Sequence, residues 1–223
     1  MRVSFLATAD KSTFPRPSGS EFEEVPMNAL GRLALVVTAA AVVAGPAVPA
    51  TAAAPAESFE TGFGSWQPDT DGLAPAWSVT RSTEQARHGV YSLRVYMDGR
   101  QDDGTTWVER RFKVAPNTTV RVTVAFHLWS SRQSDVGTWF VVAAAGTRDP
   151  ETERDFTRLG STEQAAGWKQ YSALWTVTAD AAGAVWVAFG TSVAWETERH
   201  HYLDYVSVTI QPAIGPALPV ARP

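Results

Sequence analysis

The sequence predicts an all-β chain, a sandwich or a barrel. Three observations carry that reading. Residues 120–131 (VRVTVAFHLWSS) alternate strictly, Val120, Val122, Val124, Phe126 and Leu128 against Arg121, Thr123, Ala125, His127 and Trp129. Period two marks a half-buried strand, because successive side chains leave opposite faces. About nine short segments of this kind recur, with glycine-, proline- and acid-rich turns between them. No segment carries a convincing amphipathic helix period.

The chain has 223 residues and a formal net charge of −4, so it carries no basic footprint for nucleic acid. Cysteine is absent, which excludes disulfides, thiolate catalysis and a Cys-based zinc site. Residues 27–54 read as a secretory signal: a short segment with Arg32, an apolar run over 33–45, and a small-residue stretch ending near Ala52–Ala54. The 13-residue apolar run is short of the ~20 residues a membrane-spanning helix needs. Residues 1–26 carry Asp10, Glu21, Glu23 and Glu24 and do not suit a signal. They are read as an extension ahead of the true start at Met27, since Glu23–Pro26 can be encoded by a strong ribosome-binding sequence. The expected mature chain is secreted, begins near residue 55 and holds all nine Trp.

Element by element, residues 57–66 (ESFETGFGSW) predict a short extended piece with glycine turns, and 68–75 a loop. Strands are expected over 77–80, 91–97 and 105–114. In the last, Val108, Arg110, Phe112 and Val114 alternate with Trp107, Glu109, Arg111 and Lys113. The 115–118 turn (APNT) leads into the 120–131 strand. Burial of that strand's five apolar side chains is worth roughly 8–15 kcal/mol, at about 1.5–3 each, before entropy is subtracted. Residues 138–145 (TWFVVAAA) read as a buried strand and 146–167 as the longest connection. Further strands follow over 168–178, 184–190 and 202–210, and 212–223 is a Pro-rich tail.

Taken in order, several stretches resemble the carbohydrate-binding-module, galactose-binding-like jelly roll, particularly the CenC-type modules of secreted bacterial glycosidases. They are Ser58-Phe59-Glu60 with Gly64-Ser65-Trp66, then Trp77-Ser78-Val79, then 86–93 (ARHGVYSL). Residues 112–124 (FKVAPNTTVRVTV), 167–171 (GWKQY) and 201–208 (HYLDYVSV) complete the series. The resemblance covers nearly all of 57–210. It implies a two-sheet antiparallel β-sandwich over about 55–211 that binds a polysaccharide or other glycan without catalysis, as a monomer. It also implies a structural Ca²⁺ held by Glu60, Asp204 and carbonyls around 88–92. Ca²⁺ takes six to eight hard oxygens, so that set is chemically sensible. The alternative is that Glu60 and Asp204 cap loops or pair with Arg.

A sugar offers C–H faces to aromatic rings and hydroxyls to planar polar groups. Trp129, His127, Trp107, Arg111 and Trp195 are the candidate contacts, with Trp139, Trp186 and Tyr205 as further rings opposite the main apolar phase. Trp66, Trp77, Trp168 and Trp175 are assigned to the core or its ends. The competing reading is a secreted structural or protein-interaction domain of the same fold. The sequence has no G-x-S-x-G or H-E-x-x-H, and the Glu196/Glu198 pair reads as a solvated face rather than a hydrolytic pair.

Overall fold

The computed structural model describes residues 55–131, 138–162, 166–195 and 198–213. All fall within one compact unit. The expected signal, the 1–26 extension, the tail beyond 213 and Glu196 lie outside the described residues.

Among the described residues ten strands are present: β1 Gln67–Thr70, β2 Trp77–Ser82, β3 Ser92–Asp98, β4 Thr105–Lys113, β5 Thr119–Ser130, β6 Trp139–Gly146, β7 Thr157–Ser161, β8 Gly167–Thr178, β9 Ala184–Val193 and β10 Glu198–Pro212. One 3-10 turn, Glu153–Asp155, precedes β7. The strands form two five-stranded antiparallel sheets, in the orders β1-β4-β9-β6-β7 and β2-β3-β10-β5-β8. Of the sandwich or barrel that the alternation predicts, this is the sandwich, in the two-sheet antiparallel form that the resemblance implies.

The strands differ from expectation at the edges. Residues 57–66 make only an isolated bridge, Glu57 to Val206, while β1 and β7 emerge from segments read as loops. Both are edge strands of four and five residues. Such strands bury too little to display a period, and an edge accepts Pro68 because no ladder bond needs its missing N–H.

The core lies between the sheets. Val122, Val124 and Phe126 are fully buried, with Val120 and Leu128 at 4% and 1% exposure. From the opposite sheet, Val185, Val187 and Phe189 of β9 meet them, and Phe126 stacks on Phe189 at 4.6 Å. Trp66 closes the same core against Phe189 at 4.9 Å. Trp139 is not an outward ring: it is fully buried with Ala74, Met97 and Val193 in a smaller cluster, against the imidazole of His201.

Candidate functional site

With Val108, Val187 and Val141 turned into the core, the intervening residues of β4, β9 and β6 line the outer face of the first sheet. Register aligns them in rows. Asp69, Trp107, Gly190, Val142 and Arg158 form one row across all five strands. Glu109, Ala188 and Ala144 form the next, and Arg111, Trp186 and Gly146 a third. The middle of this face is therefore floored by Gly and Ala, with an indole and a guanidinium at one end. There an open pocket of 280 Å³ is lined by Ala144, Gly146, Ala188, Trp186, Arg148 and Asp155, among others.

The connection at residues 147–156 crosses this face as a strap, with Arg148, Pro150 and Asp155 on the pocket side. Phe156 packs on Trp107 at 4.9 Å, and Trp107 is fully buried beneath it. Glu153 Oε1 accepts bonds from Ser192 Oγ and Arg158 Nη2, each at 2.8 Å. Asp155 caps the strap internally, accepting from the backbone N–H groups of Glu151 and Thr152 and from the Thr152 hydroxyl. Deeper in, Trp107 Nε1 donates to Glu109 Oε2 at 2.7 Å. Burial pushes the Glu109 carboxyl up to about 7, with the Asp149 and Asp69 charges adding to the rise. Burial raises Asp149 as well, and its Oδ1 is buried without a hydrogen-bond partner.

The predicted ligand residues do not form one site. Trp107 and Arg111 stand on the outer face of the first sheet. Trp129 and His127 stand on β5, on the outer face of the second sheet, across the whole thickness of the sandwich. Trp195, 53% exposed, follows the end of β9 remote from Trp186. The second sheet's outer face is itself rich in rings. Register places Thr80, Arg94, Tyr202, Trp129 and Trp168 in one row. Trp129 meets Tyr202 edge-on at 5.4 Å. The Tyr202 hydroxyl donates to Glu84, while Arg94 contacts Glu84 at 3.8 Å and His200 at 3.0 Å. Trp168, assigned from sequence to the core or its ends, is an outward neighbour of Trp129, because Tyr171 and Val177 take the inward phase of β8. Trp77, assigned to the core or its ends, opens β2 in register with the buried Met97 and is 37% exposed. His127 is half-buried beside Tyr205 at 5.8 Å, and burial holds its imidazole below the usual value.

Trp186, with Arg148 and Asp155, lines the 280 Å³ pocket, and sequence reasoning leaves it outside the candidate contacts. Its signal is present in the alternation of AVWVAFG, which turns Trp186 away from Val185 and Val187.

Glu60 and Asp204 do come together at the 87–91 turn. Asp204 Oδ2 accepts the N–H groups of Arg87 and His88 at 2.7 and 2.8 Å, and Oδ1 accepts that of Tyr205 at 2.6 Å. Tyr205 sits in left-handed backbone, φ 53°, at a β-bulge in β10, and this bond holds it there. Glu60 accepts the N–H groups of Tyr91 and Val90 at 2.9 and 3.1 Å, and these hold its carboxyl below the usual range. N–H groups carry no lone pair for a cation. Among the described residues no group of three or more Asp, Glu, His or Cys is arranged for a metal. As placed, the two carboxylates are engaged as caps of the 87–91 turn.

Neither a family model nor a curated protein matches the sequence. Among solved structures, the CBM22-1 xylan-binding domain of Paenibacillus barcinonensis Xyn10C is similar, at 16% identity and TM-score 0.46 over 74% of this chain and 99% of that one. The C-terminal family 22 carbohydrate-binding module of Clostridium thermocellum Xyn10B gives 16% and 0.45 over 71% and 94%. TmCBM61, solved with β-1,4-galactotriose, gives 14% and 0.44 over 70% and 95%. These three are carbohydrate-binding modules, and the enzymatically active domain of bacteriophage CBA120 tailspike protein 4 is also similar, at 8% identity and TM-score 0.44 over 67% of this chain and 20% of that one.

Proposed function

We propose that the chain is a secreted, non-catalytic glycan-binding module that takes its ligand on the outer face of the first sheet. One observation carries this reading: the 280 Å³ pocket has an indole wall, a floor of Ala and Gly, and both charge signs, Arg148 and Asp155, at its rim. An apolar ring face suits a sugar's C–H face, and convergent charged groups suit its hydroxyls. The pocket stands at the small end of ligand sites, which run from about 300 Å³ upward, so it takes a chain end or short segment of a glycan. The non-catalytic reading is supported by the engagement of the neighbouring carboxylates. Asp155 holds the strap's own N–H groups, and Glu109 holds Trp107 and is closed from solvent.

The second sheet's Trp129–Trp168 pair is the other candidate platform, flanked by Arg94 and Glu84. A glycan-array screen of the full chain separates the two. Trp186→Ala abolishes saturable binding while thermal unfolding stays cooperative, and Trp129→Ala leaves binding intact. Loss with Trp129→Ala alone moves the site to the second sheet. A folded protein that is silent across the array refutes the glycan reading and favours the interaction-domain alternative.

A further inference from the structure

We infer that the 147–156 strap is a fixed stop: it prevents the first sheet's outer face from serving as a through-groove and makes the pocket beside Trp186 a blind site for the terminal sugar of a glycan, not for a segment inside the chain. This rests on the glycan reading above, which admits a chain end and a short segment alike.

The sheet itself offers a continuous floor. The rows Arg111–Trp186–Gly146, Glu109–Ala188–Ala144 and Trp107–Gly190–Val142 follow one another along β4, β9 and β6. The strap divides this floor. It leaves β6 after Gly146, reaches β4 where Phe156 packs on Trp107, and returns to β7, whose Thr157 pairs with Ala143. A hollow lies on each side of it. One is the 280 Å³ pocket over Ala144, Ala188 and Gly146. The other, of 220 Å³, is lined by Val142, Glu153, Arg154, Phe156 and Arg158. The two share no lining residue.

The strap walls the pocket with Thr147 and Arg148 above the end of β6, and with Pro150 and Asp155 on the way to Phe156. The open side faces Arg111, the partner of Trp186, and Lys113, the partner of Ala184, both exposed. Neither edge strand prolongs the face there, since β1 pairs with Thr106–Glu109 and β7 with Phe140–Ala143. From Glu109 to Lys113 strand β4 advances about 13 Å at ~3.3 Å per residue. That reach suits a terminal sugar against Trp186 and a neighbour beside Arg111. At the blind wall, a terminal sugar carries a hydroxyl where an internal sugar carries a glycosidic bond. Arg148 offers that hydroxyl a donor. Asp155 offers an acceptor, because a carboxylate has about four lone-pair sites and the strap's own donors at Asp155 are the N–H groups of Glu151 and Thr152 and the Thr152 hydroxyl.

A stop must hold its place, and this one is pinned to three strands. Phe156 packs on β4. Glu153 Oε1 accepts from Ser192 Oγ of β9 and Arg158 Nη2 of β7, and the Arg158 guanidinium lies over the Phe140 ring at 4.0 Å. Pro150 is buried, and its ring fixes its φ.

The test uses the full chain with soluble linear xylan, galactan and β-glucan, together with the parent polysaccharide of any array-positive glycan. Each is titrated before and after limited cleavage by an endo-acting hydrolase, which multiplies chain ends and leaves the mass of sugar unchanged. Binding sites per gram are expected to rise in the same proportion as mean chain length falls. Affinity for linear oligosaccharides of the bound type should change by less than about twofold from trimer to hexamer, because sugars beyond the opening meet no further wall. Sites per gram that stay level or fall, or affinity that climbs steadily with length, overturn the stop. If Trp186→Ala still abolishes binding in that case, the proposed function stands. A Glu153→Ala/Phe156→Ala double variant unpins the strap and leaves every pocket residue in place, so the hexamer is expected to gain on the trimer. An unchanged ratio in a folded double variant assigns the end preference elsewhere and also overturns the stop, and if that variant does not fold, the wild-type titrations decide. Silence of a folded chain towards every polysaccharide and across the array refutes the glycan reading and the stop together.

Discussion

Phe156 packs on Trp107 with ring centroids 4.9 Å apart and planes at 54°, and the indole beneath it is fully buried. Trp107 stands on an outward phase of its strand, beside Gly190 and clustered with Ala144, Ala188 and Phe156, yet it is as buried as Phe126. An outward ring under a half-buried cover behaves differently from a core ring, because its shelter is one side chain deep.

Phe156→Ala therefore uncovers Trp107 without opening the sandwich core. The expected loss of stability is about 1–2 kcal/mol, less than full burial of a Phe side chain is worth. Acrylamide quenching of tryptophan emission should rise. Unchanged quenching in a folded variant would mean that another part of the strap covers the ring.

His201 limits stability on the acid side. It is fully buried against Trp139, neither ring nitrogen has a hydrogen-bond partner, and burial drives its imidazole down to about 3. The folded value lies below the ordinary 6.5, so the unfolded chain binds the extra proton. Stability is then full above about 6.5 and falls by at most about 1.4 kcal/mol per pH unit as pH drops towards about 3. His201→Leu flattens this limb, which denaturant titrations at about pH 4 and pH 7 measure directly. A variant with the same acid slope as the wild type would place the sensitive group elsewhere.

Asp204 and Glu60 make a matched pair of variants. Asp204 is fully buried and accepts three backbone N–H groups, so Asp204→Ala strands donors that each cost about 1–3 kcal/mol when left without partners. Glu60 is exposed, and Glu60→Ala has the smaller effect because water replaces the carboxylate. Since the donors facing both groups are N–H, the melting temperature is expected to stay the same in excess calcium and in chelator. A rise of several degrees with calcium would mean that the turn rearranges into a metal cage.

The sequence makes individual faces legible and leaves their assembly open. Alternation in β4 and β5 correctly separates Val108 from Trp107 and Phe126 from His127. It says only that Trp107 and Trp129 point away from the core. A sandwich has two such directions, and the choice between them depends on which distant strands β4 and β5 pair with. That is fixed by long-range register: β9 beside β4, and β10 and β8 beside β5. Covering is equally non-local, since nothing near Trp107 in the sequence marks Phe156 as its lid. Trp168 escapes a local reading for a related reason. Residues 168–178 mix rings on both phases, and only the partner Phe126 identifies Tyr171 as the inward one.

Two glycines on the first sheet's outer face separate architecture from ligand binding. Gly190 has no room for a side chain: a Cβ there would stand 2.1 Å from Thr106 O and 2.6 Å from Trp107 Cα. Those are backbone atoms of β4, which cannot move without breaking the β4–β9 ladder. Gly190→Ala is expected to cost about 3 kcal/mol or more, at the upper end of overpacking. At Gly146, at the end of β6 and beside Trp186 in the pocket lining, an added Cβ would meet nothing within 4 Å. Gly146→Ala should leave the midpoint of denaturant unfolding unchanged or raise stability by under about 1 kcal/mol, through lost freedom of the unfolded chain. Its methyl projects into the space assigned to the sugar. Weaker glycan binding in a variant at least as stable as the wild type would place the ligand on this floor. Unaltered affinity would move it off the floor, whatever Trp186→Ala does.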